Sequence, residues 1–413
     1  MRAAGAVIVA AVLFASGMVI GRRFFPSTWL SSPVPAVPVA PAQAIQPPVL
    51  STRILDTSRL PVLLTTVPIA GAGRFISSED LPGGAVARVE QSLVVMDRGG
   101  QVFAFENNAL RRTDYDAPPG ITKALYLAYD GSRGTIYVSH LARTGPSGGV
   151  HFTIASLAID KTTLARQGQW QTVFETGNLS DDAARRGGTG GKMVVKGDHL
   201  YFSVGDFSVG ALPVSPVDFA AQDPLSPFGK VFDYDLTTKA TTVRSSGHRN
   251  PQGLVWTTAG TFMSTEHGPE GGDELNVLVA GGNYGWPYRT HGVGYGTFEW
   301  PSMPAVASSF TEPIFAWVPS PAISAVIEVA GFHDRWNGDL LVGSLKARTL
   351  FRLKVANNRV LYSEPIQTGS RIRDLVQMPN QIALITDDPA LIFITVDDER
   401  LRRNIKLPET VVR

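Results

Sequence analysis

Six short apolar runs of nearly one design recur along this chain, and each ends on a polar or charged residue. They are Ser92 to Asp97, Thr135 to His140, His199 to Asp206, Thr261 to His267, Asp339 to Lys346 and Gln381 to Asp387. A second, alternating run follows most of them: Gln101 to Phe105, Phe152 to Leu157, Lys230 to Tyr234, Leu275 to Val279, Leu350 to Lys354 and Leu391 to Thr395. Another precedes most of them, as at Lys192 to Val195 and Gly253 to Trp256. Short runs rich in β-branched and aromatic side chains, bounded by turn residues, read as strands, and no long apolar pattern of helical period competes with them. The repeating unit is therefore a small antiparallel sheet, recurring about six times at spacings of roughly 40 to 80 residues. Radial repetition of four-stranded sheets makes a β-propeller, and about 365 residues over six blades leave roughly 60 for each, enough for four strands and a functional loop. A sandwich pair and a solenoid are the other architectures such repetition admits. In the propeller the six similar runs are expected to be the inner strands, their polar ends gathered at one mouth of the central channel.

The propeller is expected to occupy residues 49–413. Ahead of it, Arg2 precedes an apolar run from Ala3 to Ile20 that Arg22 and Arg23 close. That run is about long enough to span a bilayer, so residues 1–23 read as a signal anchor or a signal peptide. Residues 24–48 carry Pro26, Pro33, Pro35, Pro38, Pro41, Pro47 and Pro48 among small residues, the composition of an extended spacer. The expected location is periplasmic or otherwise extracytoplasmic, with membrane contact through residues 3–20 alone. A net charge of +1 gives no sign of a nucleic-acid partner, and the absence of cysteine removes thiolate metal sites and cysteine nucleophiles. Redox chemistry here needs a bound cofactor.

Polar and turn-forming residues are densest in three neighbouring segments: Gly247-His-Arg-Asn-Pro-Gln-Gly-Leu254, Glu266-His-Gly-Pro-Glu-Gly-Gly-Asp-Glu-Leu-Asn276 and Gly282-Asn-Tyr-Gly-Trp-Pro287. The propeller arrangement brings Arg249, Lys346, Arg371 and Arg373 toward one mouth with Lys192, Asn250, Asp206, His267 and Asp387. Like charges gathered in this way call for an anion, and guanidinium groups suit carboxylate or phosphate. Arg371 and Arg373, two apart on a strand, share a face.

These segments, together with Trp336-Asn-Gly-Asp-Leu-Leu-Val-Gly-Ser-Leu-Lys346 and Arg371-Ile-Arg-Asp374, resemble the glucose/sorbosone dehydrogenase family, the soluble aldose dehydrogenases that use pyrroloquinoline quinone (PQQ). The likeness runs from about Gly187 to Asp387. It implies a six-bladed propeller, matching the repeat count, and a small-molecule sugar or alcohol as substrate; it names no electron acceptor. It assigns Arg249 and Asn250 to contact with the quinone, and Lys346, Arg371 and Arg373 to its three carboxylates, with Lys192 where the family has an arginine. The backbone carbonyls of Gly268 and Pro269 would help bind Ca2+, and Asp273, Glu274 and Tyr284 fall where some members bind structural calcium.

The departures from the family sit on the catalytic side. Where the family carries a histidine that takes the sugar hydroxyl proton, this chain reads Gly188-Thr-Gly-Gly-Lys192, and Asp206 matches the aspartate that orients that histidine. Upstream, Ile121-Thr-Lys-Ala-Leu125 replaces a glycine- and leucine-rich segment with its adjoining polar ligand. Loss of a general base costs about 10² to 10⁴ in rate unless His140, His267 or Asp206 substitutes. Three functions stay open at this level: a PQQ-dependent dehydrogenase, slowed where Gly188 replaces the base; a non-catalytic propeller that binds a ligand or protein; and a lactonase-like hydrolase, which fold analogy alone supports.

Overall fold

The computed structural model describes residues 50–57, 60–69, 84–145, 148–179, 187–207, 220–295, 309–388 and 390–405. The apolar run at 3–20 and the proline-rich segment at 24–48 lie outside them, and among the described residues no helix is long and apolar enough to cross a membrane. The strands form six antiparallel sheets set around an axis, the six-bladed propeller that the repeats predict. Blade 1 is Ala85–Val89, Ser92–Met96, Val102–Glu106 and Ala109–Arg112. Blade 2 is Ile121–Asp130, Thr135–Arg143, Val150–Ala158 and Gln171–Glu175. Blade 3 is Gly190–Lys196, His199–Val204, Lys230–Asp235 and Thr241–Ser246, extended by Gly282–Asn283 running parallel at its edge. Blade 4 is Pro251–Trp256, Phe262–Glu266, Asp273–Val277 and Phe315–Trp317, and blade 5 is Ile323–Glu328, Leu340–Ser344, Thr349–Ala356 and Arg359–Gln367.

Blade 6 closes the ring from both ends of the domain. Ile372–Met378, Gln381–Thr386 and Ala390–Val396 come from the C-terminal side, and Pro61–Pro68 pairs with the last of them from Val62 opposite Val396 to Pro68 opposite Ala390. Ser51–Asp56 then adds an outer strand. The closure joins distant parts of the chain across one sheet, so the ring cannot open without breaking that ladder.

One expectation is corrected. The six similar apolar runs are the second strand of each blade and not the inner one. The first strand of each blade packs against the first strand of the next all the way round, so Ile121–Asp130, Gly190–Lys196, Pro251–Trp256 and their counterparts line the channel. The reason is burial. A second strand is covered by the neighbouring blades on both faces, and Phe262–Glu266 and Leu340–Ser344 are buried at every position, so they read as continuous apolar runs. Channel-lining strands carry glycine and polar residues among their apolar ones, which weakens their pattern.

A hydroxyl near the end of several second strands stitches its blade to the next. Ser139 Oγ donates to the Gly191 carbonyl at 2.6 Å, Ser203 Oγ to Pro251 at 3.0 Å, and Thr265 Oγ1 to Ser324 at 2.6 Å. All three side chains are buried. They fix the inner strands of blades 3, 4 and 5, and with them the residues at the mouth.

Candidate active site

The wall between blades 3 and 4 starts with Asp206, just past the end of His199–Val204. Asp206 is 2% exposed, and one of its oxygens accepts the indole N–H of Trp286 at 2.7 Å. Gly188 stands opposite with φ +67°, its carbonyl accepting the Phe207 N–H at 3.0 Å. The two segments are so close that a Cβ on Gly205 would lie 1.9 Å from the Gly188 oxygen. Phe207, fully buried, adopts φ +53°, a strained region for a bulky residue and one the packing must impose.

The loop between the second and third strands of blade 3 clasps this wall. The Lys230 ammonium, nearly buried, donates to the carbonyls of Ala220, Ala221 and Phe228 at 2.9 to 3.0 Å, and burial pushes its pKa down to about 8. Gln222 and Asn283 exchange side-chain hydrogen bonds, and Gln222 also donates to the Trp286 carbonyl at 2.6 Å. Loop, tryptophan and Asp206 thus form one braced unit.

Arg249 and Asn250 enter blade 4 beside it. The Arg249 guanidinium lies 5.3 Å from the Trp286 ring and 5.9 Å from the Tyr295 ring, and its Nη1 donates to the Gly268 carbonyl at 2.7 Å and to the His267 carbonyl at 3.1 Å. Below it Glu266 accepts the Arg249 backbone N–H and faces His248 Nδ1 at 2.8 Å, while His248 Nε2 meets Ser245 Oγ at 2.8 Å. Serine, histidine and glutamate here are a buried truss: Ser245 and His248 are 1% and 0% exposed, leaving a substrate no approach. Glu274, directly across the ladder from Glu266, has its pKa pushed up to about 8, first by burial and then by the Glu266 charge.

Of the side chains expected at structural calcium, Glu274 and Tyr284 line one small pocket with Glu266, and Asp273 stands apart from it. Asp273 spends both oxygens on the N–H groups of Gly268 and Ile323, and the Tyr284 hydroxyl donates to Val277 and accepts from Val279. Asp273 and Glu274 are neighbours on one strand and point to opposite faces. Among the described residues no three histidine, aspartate or glutamate side chains group around a metal position. The substitute bases are also engaged. His140 is 1% exposed on blade 2 with its pKa pushed down to about 4 by burial, and the half-buried His267 ring, its pKa lowered chiefly by desolvation, faces the Ile323 carbonyl.

The cations separate into two groups. Lys346 is exposed and has no carboxylate partner among the described residues. Arg371 gives its Nε to Asp387 at 3.0 Å and has no partner among the described residues for its terminal nitrogens. Arg373, its side chain 12% exposed, forks onto Asp387 through Nε at 2.8 Å and Nη2 at 2.9 Å. Burial would raise the Asp387 pKa, but the two arginines hold it below the usual carboxylate range, so Asp387 is the internal anion between them. Lys192 pairs apart from Asp387. Its ammonium reaches across the channel from blade 3 to Asp374 on blade 6 at 2.5 Å, over the Tyr126 ring at 4.8 Å. Asp374 also accepts the backbone N–H of Val86 in blade 1 at 3.3 Å, so four blades meet at this floor.

Three residues of this site escaped the sequence reading as site parts: Tyr126, Lys230 and Trp286. Only Trp286 had a signal, its place in Gly282-Asn-Tyr-Gly-Trp-Pro287. The other two sit inside ordinary strand patterns.

Known proteins share this architecture and these segments. An uncharacterized protein of Synechocystis is 28% identical over 389 residues, covering 86% of this chain and 88% of that protein. An aldose sugar dehydrogenase of Escherichia coli is 36% identical over 156 residues, which span 35% of this chain and 40% of the relative. Among solved structures, the soluble aldose sugar dehydrogenase of Escherichia coli in its apo form superposes with a TM-score of 0.67 at 22% identity, covering 81% of this chain and 99% of that one. The PQQ-bound aldose sugar dehydrogenase of Streptomyces coelicolor gives 0.61 at 19% identity over 85% and 99%. The family model described as Glucose / Sorbosone dehydrogenase matches residues 90–393, and the chain belongs to that family.

Proposed function

We propose that this chain is a PQQ-dependent dehydrogenase that oxidises an aldose or a related alcohol at the propeller mouth. The observation that carries the reading is the cationic set itself: among the described residues the Lys346 ammonium and the terminal nitrogens of Arg371 have no partner, Arg373 is already neutralised by Asp387, and Arg249 lies against the Trp286 and Tyr295 rings. Such donors fit a planar polycarboxylate, with guanidinium forks for carboxylates and aromatic rings to exclude water. Lys346, Arg371 and Arg373 would hold the cofactor, and Arg249 with Asn250 would orient it. When bound, PQQ supplies a two-electron acceptor. Ca2+ suits the oxygen-only carbonyls of Gly268 and Pro269, the first of which accepts Arg249 Nη1 at 2.7 Å and keeps a second lone pair. Asp206 stays in place as the carboxylate on the catalytic side, bonded to Trp286 where the family has an imidazole to orient.

Gly188 favours a second reading, a ligand-binding propeller of the same family without turnover, because glycine has no proton acceptor. Location outside the cytoplasm with residues 3–20 as an anchor remains part of the proposal and rests on the N-terminal sequence. The test is reconstitution of the full chain with PQQ and calcium, binding being followed by cofactor absorbance and turnover by dye reduction over a panel of aldoses. Binding with slow turnover is expected. No binding sinks the dehydrogenase reading, and tight binding without turnover on any sugar selects the second.

A further inference from the structure

We propose that Tyr126, which the family likeness leaves without a role, is a positioning residue that fixes the polarity of Asn250 and so makes the mouth select a ligand with an acceptor oxygen at that point. The inference deepens the cofactor reading and rests on it for the nature of the ligand. The Gly190 backbone N–H can only donate, and it donates to Asn250 Oδ1 at 3.0 Å. The amide oxygen of Asn250 is thereby oriented inward. Gln252 lies 2.7 Å from the same oxygen and must present Nε2 to it. Its own oxygen then faces Tyr126, whose hydroxyl donates at 2.7 Å. Polarity is set at each step, as donors and acceptors in a buried chain must match.

Tyr126, Gln252 and Asn250 are 2%, 6% and 7% exposed, so a mismatched partner would leave a buried orphan. Burial also pushes the Tyr126 pKa up, which keeps the phenol a donor, and the Lys192 ammonium held by Asp374 lies against its ring and fixes it. With Oδ1 receiving two hydrogen bonds, Asn250 has its Nδ2 hydrogens left to offer, and these have no partner among the described residues. The site therefore reads a carbonyl, carboxylate or quinone oxygen there and rejects a donor. Tyr126, buried on blade 2, acts on Asn250 through Gln252.

Full-length protein carrying isotope-labelled asparagine reports this directly, the Asn250 side-chain amide pair being assigned as the one that disappears in Asn250→Asp. Tyr126→Phe should shift or broaden that pair and weaken PQQ binding about three- to tenfold, as loss of one buried neutral hydrogen bond does. Asn250→Asp keeps the shape, turns a donor into an acceptor, and should weaken binding about a hundredfold. Tyr126→Leu should lose the same affinity as Tyr126→Phe if the hydroxyl alone matters, beyond any added loss of thermal stability. An unmoved Asn250 pair in a folded Tyr126→Phe protein overturns the proposal whatever the wild type does with PQQ. A moved pair with no PQQ binding to the wild type upholds the orientation and overturns only the cofactor reading.

Discussion

Replacing Lys192 by methionine should unfold the protein more readily before it affects any ligand. Lys192 and Asp374 lie 2.5 Å apart with side chains 10% and 0% exposed, and among the described residues Asp374 otherwise accepts hydrogen bonds only from the backbone N–H groups of Val86 and Leu375. Methionine matches the lysine stem in length but leaves that carboxylate buried and uncompensated, a loss of about 3 to 5 kcal/mol. A domain stable by about 5 to 15 kcal/mol would lose a large part of it. Asp374→Asn strands the ammonium instead and should cost a comparable amount. The double variant should cost well below the sum, because neither charge is then alone, and the coupling should be about 2 kcal/mol or more. Urea unfolding followed by tryptophan fluorescence measures all four proteins, with midpoints compared at unchanged slope. Lys192→Arg should stay close to wild type. Single variants that cost less than about 1 kcal/mol, or a double variant equal to their sum, would refute the channel strut; a fall in PQQ affinity at unchanged stability would return Lys192 to the cofactor.

Three further outcomes are expected. Gly188→His places an imidazole at the family position but on a backbone at φ +67°; it should cost about 1 kcal/mol in stability and raise dye reduction by about a hundredfold, and unchanged reduction with intact cofactor binding would shift attention to Ile121–Leu125. His140 is neutral in the fold with a pKa near 4, against an unfolded value of about 6.5, so the unfolded state binds more protons between them. Stability should fall as pH drops through that window, and His140→Asn should flatten the fall in denaturant titrations. Tyr115, Tyr137 and Tyr284 are pushed up to about 12 mainly by burial, above the ordinary value of about 10. The folded state then keeps protons that the unfolded state sheds, so stability should decline above about pH 10, with tyrosinate absorbance appearing together with unfolding.

The repeat count and the strands themselves were legible because burial on two faces writes apolar runs into the second strand of every blade. The same physics misled the placement of those strands, since the most apolar element is the most covered one and the channel-lining element is not. Ring closure through Pro61–Pro68 left only a local strand pattern; nothing in one strand states that its partner lies at Ala390–Val396. Pairing over such a distance is decided by the fold as a whole.

The site divides along a related line. Residues whose chemistry is displayed in dense motifs, Arg249, Asn250, Gly268 and the Arg371-Ile-Arg373 pair, were identifiable because turn residues and charge are costly in a core and so announce themselves. What the sequence could not state is which charge is already answered. Five cations at one mouth imply an external anion only if no internal one reaches them, and Asp387 reaches two while Asp374 removes Lys192 altogether. The external demand is therefore smaller than a count of basic residues suggests, and it falls on Lys346, the free face of Arg371 and Arg249. That narrowing makes the affinity of the cradle depend on a few exposed groups, so Lys346→Ala should weaken PQQ binding more than Arg373→Lys does, the latter showing chiefly as lost stability through Asp387. Equal losses of affinity with no change in stability would mean that Arg373 leaves Asp387 for the ligand.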